Sequence, residues 1–282
     1  MWYRIVGDRE EPGKLPLLCL HGGPGIPHDY LEPLEEMAAT GRRVIFYDQL
    51  GCGNSDQPHD PSLWTIDLFL EELDLVRRSL NLGRLHLLGH SWGGMLAMQY
   101  ALTQPTGLAS LSIASSPASV QQWVEEANRL REALPFDVQQ TLLKHEEAGT
   151  TEDAYLEAMM VFYRRHVCRL DPWPEYVNRA FEKLTKNPEV YYTMNGPSEF
   201  HITGKMKDWN VTGRLGEIRL PTLITSGRYD EATPAVAETV HRGIRGSEWV
   251  IFENSSHLAF AEEPERYRQA LDRFLTRNEA QL

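Results

Sequence analysis

The stretch Gly89-His90-Ser91-Trp92-Gly93 constrains this chain more than any other, because it joins the apolar run Leu85-His86-Leu87-Leu88 to the helix-like segment Gly94-Met95-Leu96-Ala97-Met98-Gln99-Tyr100. That order reads as a strand, a tight turn and a helix. In a G-x-S-x-G turn of this kind the serine takes a strained backbone conformation, and glycines two residues to either side leave room where Cβ atoms would collide. The hydroxyl is then presented at the C-terminal end of a strand. A glycine-bearing loop whose serine caps the next helix would show the same five residues, so the rest of the chain must supply the chemistry.

A serine hydroxyl at its ordinary pKa is a weak nucleophile; it needs a base, and the base needs a group to orient it. Both occur downstream. Leu220-Pro221-Thr222-Leu223-Ile224-Thr225-Ser226-Gly227 reads as a buried strand and a turn that deliver Asp230 at the strand's C-terminal edge. Trp249-Val250-Ile251-Phe252 reads as another short strand, followed by Glu253-Asn254-Ser255-Ser256-His257. The order Ser91, Asp230, His257 is that of α/β-hydrolases and not that of chymotrypsin or subtilisin. Attack on a carbonyl also needs backbone N–H donors aimed at the developing oxyanion. His21-Gly22-Gly23-Pro24-Gly25, directly after the apolar run Leu15–Leu20, allows close backbone approach. The N–H groups of Gly23 and of Trp92, the residue after the nucleophile, are the expected oxyanion hole.

Apolar runs at Leu15–Leu20, Val44–Tyr47, Leu85–Leu88 and Leu108–Ile113 alternate with helical patterns, which implies a mostly parallel sheet covered by helices. The clearest helix spans 65–80, with Ile66, Phe69, Leu70, Leu73 and Val76 at helical spacing. From about Pro117 to Asn210 strands vanish, and amphipathic, aromatic-rich helical segments replace them at 120–132, 154–166 and 175–184. The expected fold is therefore an α/β-hydrolase core over 1–116 and 211–282, with a helical lid over 117–210 inserted after strand six. Of the lid aromatics Trp123, Tyr155, Phe162, Tyr163, Trp173, Tyr176, Tyr191 and Tyr192, most are expected to form lid core and a few to line an apolar pocket.

The 282 residues are 41% apolar, enough for a sizeable core. No run reaches the ~18 apolar residues of a membrane span, and the N-terminus lacks the basic and apolar regions of a signal peptide. A cytoplasmic location is the expectation, with the three cysteines, Cys19, Cys52 and Cys168, as free thiols. The net charge of −12 opposes binding to nucleic acid or anionic lipid. No metal or cofactor is implied, and a monomer is expected.

His21-Gly22-Gly23-Pro24-Gly25, Asp48-Gln49-Leu50-Gly51-Cys52-Gly53-Asn54-Ser55, Gly89 to Gly94 and Gly227-Arg228-Tyr229-Asp230 together resemble the proline iminopeptidase family of α/β-hydrolases, over nearly the full length. Met194-Asn195-Gly196-Pro197-Ser198-Glu199-Phe200 and Lys207-Asp208-Trp209-Asn210 are most similar to tricorn-interacting aminopeptidases and L-amino-acid amidases. The resemblance implies Ser91 as nucleophile, His257 as base then acid, and Asp230 as its orienter. It also implies that Glu199 and Glu231 hold the substrate's free α-amino group, as two carboxylates facing an ammonium would. Leu50 stands where the iminopeptidases usually carry an arginine, so a broad preference for small or apolar N-terminal residues is expected beside proline. The expected reaction is release of an N-terminal residue from short peptides, amino-acid amides or arylamides. A carboxylesterase or lactonase would need the same triad without the acidic pair, and a hydrolase-like ligand receptor would need neither.

Overall fold

The computed structural model describes residues 1–279. Its strands are β1 (Trp2–Val6), β2 (Leu17–Leu20), β3 (Val44–Asp48), β4 (Leu85–His90), β5 (Leu108–Ala114), β6 (Thr222–Gly227) and β7 (Glu248–Phe252). They form one seven-stranded sheet in the order β1-β3-β2-β4-β5-β6-β7. Every neighbouring pair is parallel except β1 with β3, where Tyr3 lies opposite Tyr47. β2, β3, β4 and β6 are buried at every position, which is why their sequences run apolar without alternating. The strand expected over Leu15–Leu20 begins at Leu17, because Pro16 has no N–H to give a ladder and only its carbonyl serves, accepting from His86.

The helices are α1 (Ile66–Ser79), α2 (Trp92–Ala101), α3 (Val120–Arg131), α4 (Phe136–Ala148), α5 (Asp153–His166), α6 (Glu175–Lys186), α7 (Glu189–Met194), α8 (Pro234–Gly243), α9 (Ala259–Glu262) and α10 (Pro264–Glu279). Thr65 caps α1 by accepting from the Leu68 N–H, and the stripe Phe69, Leu73, Val76 is buried against the core. α2 is buried almost all round, as its apolar sequence requires. Among the described residues no helix is long and apolar enough to cross a membrane.

The helical insertion α3–α7 follows the fifth strand in chain order rather than the sixth. A single edge strand, β1, precedes β2, so the sheet has one strand fewer ahead of the insertion than expected. The two ends of the insertion are pinned to each other: Ser119 bridges Asn210, Val120 N–H donates to Trp209 and Val211 N–H donates to Ala118. A break of only a few residues in the core thus admits some ninety residues of helix without disturbing β5 or β6.

The last helix closes on the start of the sheet through a buried charge cluster. Arg42, fully buried, donates to Glu279 at 2.8 Å and to Asp272 at 3.0 Å. The same Glu279 oxygen accepts from the Leu15 N–H at 2.9 Å and lies 3.3 Å from His86 Nε2, while Lys14 lies 3.3 Å from its partner oxygen. Burial pushes the Glu279 carboxyl up, but His86, the Leu15 N–H and the two cations outweigh it and hold its pKa at about 2. This stabilisation is fully present above the ordinary glutamate pKa of about 4.3 and is lost as pH falls toward 2. Glu279→Gln leaves the Arg42 charge under-compensated in the interior and should cost about 3 kcal/mol in urea unfolding at neutral pH, with the difference from wild type shrinking in acid.

Candidate active site

Ser91 sits between β4 and α2 with φ 55° and ψ −123°, a backbone region that side-chain-bearing residues rarely adopt. The flanking glycines make it possible. A Cβ on Gly89 would run into the Gly93 carbonyl, and one on Gly93 into the Leu20 carbonyl. The turn is held by Ser91 N–H to the Ala114 carbonyl at 2.9 Å and by Gly94 and Met95 N–H groups returning to the Ser91 carbonyl.

Asp230 and His257 meet at the ends of β6 and β7. His257 Nδ1 donates to Asp230 Oδ1 at 2.7 Å. Asp230 is itself fixed by N–H groups of Ala232 (2.8 Å) and Gly227 (3.4 Å). That fixes the imidazole with Nε2 facing a cavity lined by Ser91, Glu199, Glu231, Gly22, Gly23, Tyr30 and Tyr163. The structure therefore joins Asp230 to His257 directly and brings Ser91 to the same cavity, without a hydrogen bond between Ser91 and His257. In free enzymes such bonds often tighten only when substrate is bound. The nearest acid to His257 Nε2 is Glu231, 3.6 Å away.

Gly23 lines the cavity beside Ser91, Trp92 is the first residue of α2, and among the described residues neither N–H has a protein acceptor. Glu199 and Glu231 face the same space from the insertion and from the loop after β6. Tyr191 donates to Glu199 at 2.5 Å, and the Trp123 indole N–H holds the Glu199 carbonyl at 2.7 Å. Glu231 Oε2 is buried with no partner among the described residues. Burial pushes the Glu199 carboxyl up, against the Tyr191 hydroxyl and the nearby imidazole. Burial, then the charges of Glu199 and Asp230, push Glu231 well above the carboxylate range.

Several residues that shape the site carry no motif. His166, the last residue of α5, has a helix-end carbonyl that accepts from both the Glu231 and His257 N–H groups at 3.2 Å. Tyr30 accepts from the Gly22 N–H at 2.6 Å, so its own hydrogen goes to His90 Nδ1 at 2.9 Å. His90 Nε2–H then donates to the His257 carbonyl at 2.9 Å. Only the position of His90 inside the serine turn hinted at such a role. The cavity itself holds about 30 Å³, room for a water molecule or two. It shares Ile26, Tyr163, Phe181 and Glu199 with a second chamber of about 140 Å³ that reaches the exposed side chains of Leu156 and Tyr192.

Residues 16–264 match the alpha/beta hydrolase fold family. The chain is 45% identical to the proline iminopeptidase of Saccharolobus solfataricus, over 97% of this chain and 87% of that protein. The crystal structure of the proline iminopeptidase of Mycobacterium smegmatis superimposes with a TM-score of 0.92 at 42% identity, covering 99% of this chain and 95% of that one. The chain belongs to the proline iminopeptidase family of α/β-hydrolases. Another solved member of this likeness is VinJ, with a TM-score of 0.94 and 45% identity over 97% of this chain and 94% of that one. The Leu50 departure takes a physical form in this iminopeptidase-family enzyme: the side chain packs against the apolar core while its N–H donates to the buried Glu72 at 2.8 Å.

A carboxyl whose pKa is raised on folding costs stability as pH rises, because the unfolded chain ionises while the native one holds its proton. Glu231→Gln removes that cost. The variant should melt about 2–6 °C above wild type at pH 7–8 and level with it near pH 3, where both states are protonated, as calorimetry would register.

Proposed function

We propose that this enzyme hydrolyses the bond after a free N-terminal residue of short peptides, amino-acid amides or arylamides, with Ser91, His257 and Asp230 as the triad. The observation that carries the reading is the buried pair Glu199 and Glu231 lining the same small cavity as Ser91 and His257. Two carboxylates out of water are costly to hold, and an ammonium inside the cavity repays the cost with charge-assisted hydrogen bonds. An esterase or lactonase would use the triad equally well but gives no reason to bury the pair.

In this scheme Ser91 Oγ attacks the carbonyl carbon as its proton passes to His257 Nε2, with Asp230 holding the tautomer and stabilising the imidazolium. The carbonyl oxygen becomes an oxyanion held by the Gly23 and Trp92 N–H groups. Collapse returns the proton from His257 to the leaving amine, giving an aminoacyl-Ser91 ester. Water, deprotonated by the same imidazole, hydrolyses that ester and frees the amino acid. The residue's side chain occupies the narrow apolar pocket of about 10 Å³ formed by Trp92, Met95, Val120, Trp123, Ile202 and Met206 beside Ser91. Its mostly apolar lining supports small or apolar residues, proline included, once the surrounding side chains move aside to admit them. Segment 117–210 acts as the cap, and the chamber toward Leu156 and Tyr192 is the way in for substrate. The placement is cytoplasmic, in keeping with three free, buried thiols.

Ser91→Ala should abolish turnover of alanine and proline arylamides while leaving the circular dichroism spectrum unchanged; a wild-type rate would reject the mechanism. Glu199→Gln and Glu231→Gln should each raise KM for free-amine arylamides about 10–100-fold and leave the N-acetylated counterparts, which are poor substrates of wild type, nearly unaffected. Equal effects on both substrate series, in parallel steady-state assays, would remove the amine-holding role.

A further inference from the structure

Gln49 directly follows β3 and is fully buried; its carbonyl accepts from the Cys52 N–H at 3.2 Å and from Cys52 Sγ at 3.1 Å, and its other three hydrogen bonds all go to the two segments that carry the oxyanion donors. Its backbone N–H donates to His21 Nε2 at 2.9 Å, its side-chain Nε2 donates to the His21 carbonyl at 3.3 Å, and its Oε1 accepts from the Trp92 indole N–H at 2.9 Å. The indole can only donate, so the amide orientation is settled by its partner. We propose that Gln49 is a positioning residue of the oxyanion hole, fixing the Gly23 and Trp92 N–H groups relative to each other. The inference rests on the reading of those two groups as the oxyanion donors.

The coupling to Gly23 runs through His21. Because His21 Nε2 accepts from Gln49, its proton is on Nδ1, and Nδ1–H donates to the Gly22 carbonyl at 3.0 Å. Burial lowers the His21 pKa to about 4, which keeps this neutral tautomer at working pH. The Gly22–Gly23 peptide is trans, so its C=O and N–H point in opposite directions. Turning the Gly22 carbonyl down toward His21 therefore turns the Gly23 N–H away from it, to the side where Gly23 borders the cavity with Ser91. Tyr30 holds the neighbouring Gly22 N–H, so the peptide cannot swing about either end. On the other side, the indole that Gln49 grips belongs to the residue whose N–H is the second donor. One amide thus ties together two loops that are sixty-odd residues apart in sequence and whose separation decides whether both N–H groups reach one oxygen. Donors held this way need no reorganisation when charge develops.

Gln49→Met keeps the shape and removes the side-chain bonds. The readout is the ratio of inhibition constants for an amino alcohol and the matching amino aldehyde, alaninol and alaninal. Both keep the ammonium, and only the aldehyde takes Ser91 Oγ onto its carbonyl carbon, passing the serine proton to His257 and leaving an oxyanion in the hole. Wild type should prefer the aldehyde about 10²–10³-fold. In Gln49→Met the preference should fall at least about tenfold, with alaninol binding unchanged and kcat for alanine arylamide lowered in step while KM stays put. A variant that keeps the wild-type ratio overturns the positioning role. A wild-type ratio near one overturns it at an earlier point, because the oxyanion reading itself then fails. Should Gln49→Met not fold, Trp92→Phe removes only the indole donor: the same fall supports the proposal, and an unchanged ratio sinks it.

Discussion

The backbone of Ser91 is the constraint around which this molecule is arranged. A residue with a side chain at φ 55° and ψ −123° costs of the order of 1–3 kcal/mol and survives only where its surroundings over-determine it. Here the surroundings are the most buried parts of the chain: β4 with β2 and β5 on either side, and α2 packed into the core along almost its whole length. The strain is local and the packing that holds it is spread over the parallel sheet. Relaxing the turn would separate the hydroxyl from the Trp92 N–H, since the two are adjacent in sequence and only the elbow lets them face the same side.

Charge is handled by a second arrangement that works against stability. Glu199, Glu231 and Asp230 are all buried around one imidazole, whereas the buried Arg42 is matched by Glu279 and Asp48 by His28 at 2.7 Å. Asp230 is compensated by two N–H groups and the His257 proton; Glu199 has one tyrosine; Glu231 Oε2 has nothing. The number of hydrogen-bond partners thus falls from Asp230 through Glu199 to Glu231. A ligand bearing a positive charge would relieve that cost, which is the physical ground for the proposed amine-binding role of the pair.

The residues proposed as catalytic stood out in the sequence because each one lies at a rule-bound junction. Strands buried on both faces give apolar-rich runs, and Ser91 and Asp230 lie just beyond two of them, β4 and β6; His257 follows the shorter, half-buried apolar run of β7, where polar residues stop the strand. β1 was not legible, for the opposite reason: Trp2-Tyr3-Arg4-Ile5-Val6 lies at the sheet edge with three of its five residues exposed, so its pattern follows neither face. Helix α4 buries only Leu142 and His145 and left no stripe to read. Glu199 lies in irregular chain and Glu231 in a turn, where a carboxylate is the ordinary solvated choice, so only the family resemblance singled them out. The supporting contacts of Tyr30, Gln49 and His166 depend on distances between segments far apart in sequence, which no local pattern encodes.

The end of α5 explains how the insertion and the core act as one site. A helix C-terminus leaves carbonyls without intrahelical donors, and here the His166 carbonyl is satisfied by the N–H groups of Glu231 and His257. The His166 ring adds a bond to the Tyr229 carbonyl at 2.8 Å, and the Val167 carbonyl accepts from Leu258. One helix end thereby registers the loop bearing the acid, the loop bearing the base and one arm of the amine site against each other. The cavity beneath is too small for an amino-acid residue as it stands, so substrate has to displace side chains to get in. Any displacement that moved α5 would loosen the triad at the same time. The outer chamber is lined by Leu156 and Met159 of α5 itself as well as by Phe181 of α6 and Tyr191 of α7, so side-chain rotation there is what can give way without moving the His166 anchor.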